Sequence, residues 1–304
     1  MSRETGIRRT TGQKVFGVIN VILLTILSLS IILPFLNVIA VAFNSGKDTA
    51  MGGVYFWPRK PTLANFETVF RDKSIYTGYF ITIARTVLGT ILAVFLMALA
   101  AYGLKCKTTP GRKVFLMMIT FTMLFSGGTI PTYMLLKSLH LTNTFWVYIL
   151  PNLYGAWNLI MMRSFIETIP EGLEEAARID GCGFYRTFFQ IILPLSKQVI
   201  AVVGLFVAVA HWNDWFAGAF YVTTPDLRPV QTILQRMLQN AMNLSKVDTS
   251  TAAGALQAMR KKELVTGDSL KMATVLVTTI PIMCVYPFIQ KYFATGMMIG
   301  AIKG

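Results

Sequence analysis

The sequence predicts an all-α, polytopic membrane protein: six transmembrane helices, with a charged cytoplasmic helical element between the fourth and the fifth. Three observations predict it. Hydrophobic residues fill 54% of 304 positions and charged residues 14%, with a mean hydropathy of +0.56, whereas a soluble domain carries about 25% charged residues. Apolar runs long enough to cross about 30 Å of hydrocarbon recur along the chain. Lysine and arginine collect in short segments beside those runs, the distribution that sets membrane orientation. The net charge of +14 therefore reads as topology. No basic stripe interleaved with aromatics points to nucleic acid.

Residues 1–14 (Arg3, Arg8, Arg9 and Lys14 against Glu4) form a cytoplasmic tail, and residues 15–304 a single transmembrane domain. The run Val15 to Phe43 is too long for a signal-peptide core and lacks a cleavage site, so it is the first span. Pro34 is expected to kink it, and Asn20 and Asn37 to bond to neighbouring helices. In the loop Asn44 to Ser74, Tyr55-Phe56-Trp57-Pro58 reads as an interfacial anchor. The second span, Tyr79 to Leu104, contains Arg85. A charge inside a span is a functional candidate, but near the outer end its long side chain is also placed to snorkel to the surface. Lys105 to Lys113 (KCKTTPGRK) has four positive charges and no acid, and is the clearest cytoplasmic loop.

The third span, Val114 to Phe125, is broken by Ser126–Pro131, after which an amphipathic piece runs to Leu139. The fourth, Thr144 to Phe165, holds Pro151, Asn152, Trp157 and Asn158, groups tolerated at that depth where they face protein or a wet cavity. The fifth runs from Leu195 to Trp215. An extracytoplasmic loop, 216–270, follows, with an amphipathic helix marked by Val230, Ile233, Leu234, Met237 and Met242. Met272 to Gln290 is the sixth span, and Lys291 to Gly304 a basic tail. An even number of spans places both termini on one side, and the basic segments make that side cytoplasmic. Cys106, Cys182 and Cys284 have neither metal-ligand spacing nor a disulfide framework.

Between spans four and five lies PEGLEEAARIDGCGFYRTFFQIILP, residues 170–194. Pro170 suits a helix start, and Glu171, Glu174 and Glu175 load the amino end with the charge the helix dipole favours. Leu173, Ala176 and Ala177 give a small apolar face. Gly181 and Gly183 are expected to end this helix and turn the chain, before a second helix runs from Phe184 to Pro194. Here Glu175-Ala176-Ala177, three residues, Gly181, nine residues, then Ile191-x-Leu193-Pro194 resembles the EAA loop of ABC importer permeases at every fixed position. Ala100-Ala101-Tyr102-Gly103-Leu104, Gly127–Tyr133 and the ending Gly296–Gly304 are similar to the carbohydrate, maltose-transporter-like class, within it to permeases for oligosaccharides or uronate-containing glycans.

That resemblance implies a type I importer transmembrane domain whose segment 170–194 is the coupling loop, docking in a groove of a cytoplasmic ATPase. Its coupling residues would be Glu174, Glu175, Ala176, Ala177, Asp180, Gly181, Leu193 and Pro194. It also implies a second homologous permease, two ATP-binding subunits, an extracytoplasmic solute-binding protein and a prokaryotic cytoplasmic membrane. ATP and Mg would be bound by the partner ATPase and no cofactor by this chain. The residues agree on that last point: Asn44-Ser45-Gly46-Lys47-Asp48 fails the spacing of a phosphate-binding loop, so this chain is a transport subunit rather than an enzyme.

Sugars need aromatic faces together with amide and carboxylate hydrogen bonds. Trp157 and Asn158 in the fourth span, and Trp212, Asn213, Asp214 and Trp215 at the end of the fifth, supply those chemistries; with Arg85 they are the candidate substrate path. The same aromatics also read as an interfacial belt with a helix-end cap. His211, with no second ligand four residues on, reads as packing rather than metal binding. A permease for a non-sugar solute is the first alternative. A secondary transporter is the second, disfavoured by span interiors almost free of acids.

Overall fold

The computed structural model describes residues 10–244 and 265–296. Most of the predicted tail, the middle of the 216–270 loop and the motif-bearing residues after Gly296 lie outside the described residues. All regular elements among the described residues are helical, apart from an isolated bridge between Asn44 and Pro61. The chain divides into two compact units, residues 1–71 with 240–277 and residues 72–239 with 278–304.

In the first unit, helix α1 (Thr11–Ala42) begins on a capping box, Thr10 accepting from the Gln13 amide while the Gln13 side chain reaches back, and runs through Pro34 without a break. Its apolar surface is exposed until Ala40–Ala42, where Val54 and Met272 pack against it. Asn37 does not bond to a helix: its amide donates to the loop carbonyls of Val54 (2.8 Å) and Tyr55 (3.1 Å). Short α2 (Gly46–Ala50) is capped by Ser45, and α3 (Ala64–Arg71) follows. Asn65, fully buried, ties the unit together: it donates to the carbonyls of Ala42 and Asn44 and accepts from Ser269 Oγ. The stretch that fails as a phosphate loop has a structural use, since Asp48 accepts from Asn44 (2.9 Å) and Arg59 (3.0 Å).

The second unit is built on α4 (Lys73–Lys105), which overruns the predicted span at both ends. Ala93, Met97 and Ala101 on α4 are small or pliant, and the later helices sink their branched residues against them. α5 (Arg112–Leu124) has 13 residues, roughly 20 Å at the helical rise and short of a full span. Phe125 is extended and Gly128 takes φ +85° before α6 (Thr129–Ser138) starts. The predicted fourth span is not one helix. Two 3₁₀ turns, Phe145–Tyr148 and Leu150–Asn152, lead through Gly155 into α7 (Ala156–Ile166). Pro151 lacks the amide that an α-helix would use there.

Then come α8 (Glu171–Ile179), α9 (Phe184–Thr187), a π-helical stretch Phe188–Ile192, α10 (Leu193–Leu195), α11 (Lys197–Asn213), α12 (Phe216–Phe220) and α13 (Val230–Leu244). The ladder widens just ahead of Pro194, which cannot donate to the carbonyl four residues back. Leu159, Met162 and Ile166 of α7 and Val199, Val203 and Val207 of α11 close the core on α4. Helix α14 (Gly267–Gly296) ends the described chain. Among the described residues, three helical stretches are long and apolar enough to cross a membrane: Thr11–Ala42, Lys73–Lys105 and Lys197–Phe220.

Candidate functional site

Two places gather the residues singled out by the sequence. The first is the element around α8. Pro170 caps the helix, and Glu171 and Glu174 lie in its first turn. It ends as the spacing predicts: Gly181 takes φ +78°, its amide donates to Arg178 O (3.0 Å) and that of Cys182 to Ala177 O (2.8 Å), the paired closure of a Schellman turn. Gly183 contributes no such turn, since its φ of −76° is open to any residue. The predicted coupling residues divide by direction. Glu175, Ala176, Asp180, Gly181 and Pro194 are exposed, with Leu173 and Ile179 beside them, whereas Glu174 and Ala177 are buried and Leu193 half-buried.

Glu174 turns inward to a lysine. Its carboxylate pairs with Lys105 at the end of α4 and accepts from Tyr102 Oη (3.4 Å). Glu171 meets Lys107 at 2.8 Å in the open. That hydrogen bond lowers the Glu171 carboxyl below its usual range and raises the Lys107 ammonium above its own. Burial, then the neighbouring Glu174 charge, pushes the Cys106 thiol up. The pairs with Lys105 and Lys107 were not legible from the segment 170–194 alone, because the lysines stand in a different loop.

The second place is a cavity of about 270 Å³ lined by Met97, Asn152, Tyr154, Gly155, Asn158, Val207, Ala210, His211 and Asp214. Of the predicted path, Asn158 and Asp214 line it. Arg85 stands behind Asp214, fully buried. Its Nη1 lies 3.3 Å from Asp214 Oδ2, its Nη2 donates to the Asp214 carbonyl, and its guanidinium sits 5.0 Å from the Tyr148 ring centroid. Snorkelling is therefore overturned: a carboxylate and an aromatic face hold the cation inside the protein, where an unpaired charge would be costly. Asp214 also accepts from the Ala217 amide (3.1 Å), capping α12.

Trp157 and Asn213 are exposed and Trp212 half-buried, and none of the three lines the cavity. Trp215 packs on Phe216 and Phe220, and its carbonyl accepts from Thr232 (2.9 Å). His211 is buried against Gly89, where any Cβ would overlap its ring, so it packs as expected and also walls the cavity. Asn152 and Tyr154 were not among the predicted path residues. Their signal was the Pro151-to-Gly155 break, which exposes polar groups of the fourth segment to the cavity. Carboxamides, a phenol, an imidazole and a carboxylate on an otherwise apolar wall can orient a hydroxylated solute.

Residues 7–299 match the family model of the binding-protein-dependent transport system inner membrane component. The chain belongs to this family. It is a transmembrane permease subunit of an ABC importer, with the predicted helical membrane fold, and works with an ATPase and a solute-binding protein in the inner membrane. Among related family members, the polygalacturonan/rhamnogalacturonan transport system permease protein YtcP of Bacillus subtilis is 37% identical over 92% of this chain and 96% of its own length. Protein LplC of the same organism is 37% identical over 97% of each chain. A crystal structure of a bacterial ABC transporter involved in the import of the acidic polysaccharide alginate superposes with a TM-score of 0.82 at 28% identity, covering 95% of this chain and 100% of that one.

Proposed function

We propose that the chain carries an oligosaccharide inward by alternating access, as one of a pair of related permeases driven by two copies of a separate ATPase. The observation that carries this is the exposed face of α8, Leu173, Glu175, Ala176 and Ile179, on a helix whose end is locked by the Gly181 turn. Such a face on a nine-residue helix, roughly 14 Å long, is stiff enough to transmit displacement of a docked partner. Glu175 would make the charged contact, Ala176 would permit close approach, and Gly181, Leu193 and Pro194 would set the path from α8 into the fifth span. Nucleotide drives the change only by binding one state of the assembly better than the other.

The carbohydrate reading is supported by the chemistry of the cavity wall and by the polysaccharides for which the similar proteins are named. ATP and Mg belong to the partner ATPase, and this chain needs no cofactor of its own. Residues 15–304 act as a single permease domain of six spans, with both termini and 170–194 in the cytoplasm and 216–270 outside. A solute-binding protein delivers substrate there. The test is to co-purify the assembly, reconstitute it in liposomes and measure ATP-dependent uptake of labelled oligogalacturonides and neutral oligosaccharides. An assembly without an ATPase, or uptake unaffected by ATP, would overturn the reading.

A further inference from the structure

We infer that the motion of α8 is delivered directly to the second span, as well as to the spans that flank α8, through a buried latch formed by Lys105, Tyr102 and Glu174. The inference rests on the reading that α8 docks on the ATPase, and concerns what happens one step further in. Lys105 is the last residue of α4 and is 8% exposed, and its Glu174 partner is 7% exposed. The ammonium binds both the Glu174 carboxylate and the carbonyl of Ile169 (3.1 Å), the residue before Pro170. One side chain thus holds the start of α8 at its backbone and its first turn at its acid. Tyr102, one turn earlier on α4, reaches Glu174 with its hydroxyl and stacks its ring on Phe184 (4.6 Å) and Phe188 (5.7 Å). The second span therefore grips both limbs of the 170–194 element, before and after the Gly181 turn.

The same terminus is fastened elsewhere. Arg112 Nε donates to Leu104 O (2.7 Å) and Arg112 Nη2 to Glu167 (3.1 Å), which also pairs with Arg163 on α7. Twenty residues up α4, about 30 Å at the helical rise, stands Arg85, bound to the cavity residue Asp214. A helix held at its foot by the docking element and at depth by the cavity wall is a rigid link between them, and a buried charged pair favours a particular geometry over a slide. Sequence order would send the displacement into the flanking fourth and fifth spans. The contacts route it to the second as well, and make Lys105 and Tyr102 positioning residues for coupling.

The test uses the complete transporter in liposomes, with uptake and ATP hydrolysis measured on the same sample. Glu174→Gln and Lys105→Met are expected to retain ATPase capture and hydrolysis and to lower solute imported per ATP by tenfold or more. The reversed pair, Lys105→Glu with Glu174→Lys, is expected to recover a substantial part of that ratio. Tyr102→Phe keeps the ring stacks and removes one hydroxyl, so it is expected to assemble normally and lower the ratio two- to fivefold. A wild-type ratio in Tyr102→Phe and in either charge variant that assembles would overturn the latch. So would uptake and hydrolysis falling in proportion, the mark of a merely structural role. Loss of ATPase capture by the unmodified chain would instead overturn the docking reading, so the two failures are distinct.

Discussion

Replacing Asp214 by asparagine separates a counter-ion from a substrate ligand. The substitution keeps an oxygen for the Ala217 amide, so the cap of α12 survives, and removes only the charge facing Arg85. Arg85 is fully buried, and its Nε has no partner among the described residues. Breaking a buried pair leaves one uncompensated charge and costs about 3–5 kcal/mol. The Asp214 side chain is 26% exposed, so water screens part of the interaction and the lower end, about 3 kcal/mol, is expected. For a unit of this size that is a fall in Tm of roughly 6–12 °C. The Tyr148 face remains to offset some of the charge, worth about 1–2 kcal/mol at a desolvated site, which favours the smaller shift. Arg85→Met combined with Asp214→Asn removes both charges and should return to within about 1 kcal/mol of the parent. The assay is thermal unfolding of the purified transporter in detergent, beside uptake normalised to folded protein. An Asp214→Asn protein with unchanged Tm would refute the pairing. One with the lowered Tm but full normalised uptake would remove Asp214 from the solute path and leave it as a structural counter-ion.

Other consequences follow from single positions. Gly181→Val forces a β-branched residue into a left-handed turn where nothing crowds the new side chain, so the cost is backbone strain of about 1–2 kcal/mol. Amide exchange at Cys182 should accelerate roughly 5- to 30-fold and ATP-driven uptake should fall. Gly181→Asn should come close to the parent and Gly183→Ala should change nothing; equal effects at 181 and 183 would refute the turn assignment. Gly89→Ala drives a Cβ into the His211 ring and should destabilise by about 1–3 kcal/mol, with Gly89→Ala/His211→Ala recovering part of the loss in thermal unfolding. Asp48, lowered first by the Asn44 hydrogen bond and then by Arg59, contributes stability that is present above the ordinary aspartate range and lost only as pH falls through its depressed pKa. Protection of the Lys60 amide, which donates to Asn44 Oδ1 (2.8 Å), should therefore persist as pH falls through the ordinary aspartate range and be lost only below it, after correction for intrinsic exchange. In Asp48→Asn it should already be weak at pH 7.

What the sequence displayed and what it concealed divide by range. The α8 element was readable because every signal is local: proline before the start, acids in the first turn, a glycine at the one position needing positive φ. The long helices α1 and α4 were readable because an unbroken apolar run admits few alternatives at that length. Concealment set in where a residue's meaning lay far along the chain. Arg85 could not be distinguished from a snorkelling arginine without Asp214, 129 positions away, nor Glu174 from a surface acid without Lys105, 69 positions away. The fourth segment was misjudged for another reason. Its polar and helix-breaking residues Pro151 and Asn152 read as tolerable inside a span, yet with Gly155, not singled out by the sequence, they replace the helix with 3₁₀ turns and turn amides toward the cavity. Local rules state which interruptions a helix can survive; only the packed neighbours decide whether the interrupted segment lines a cavity.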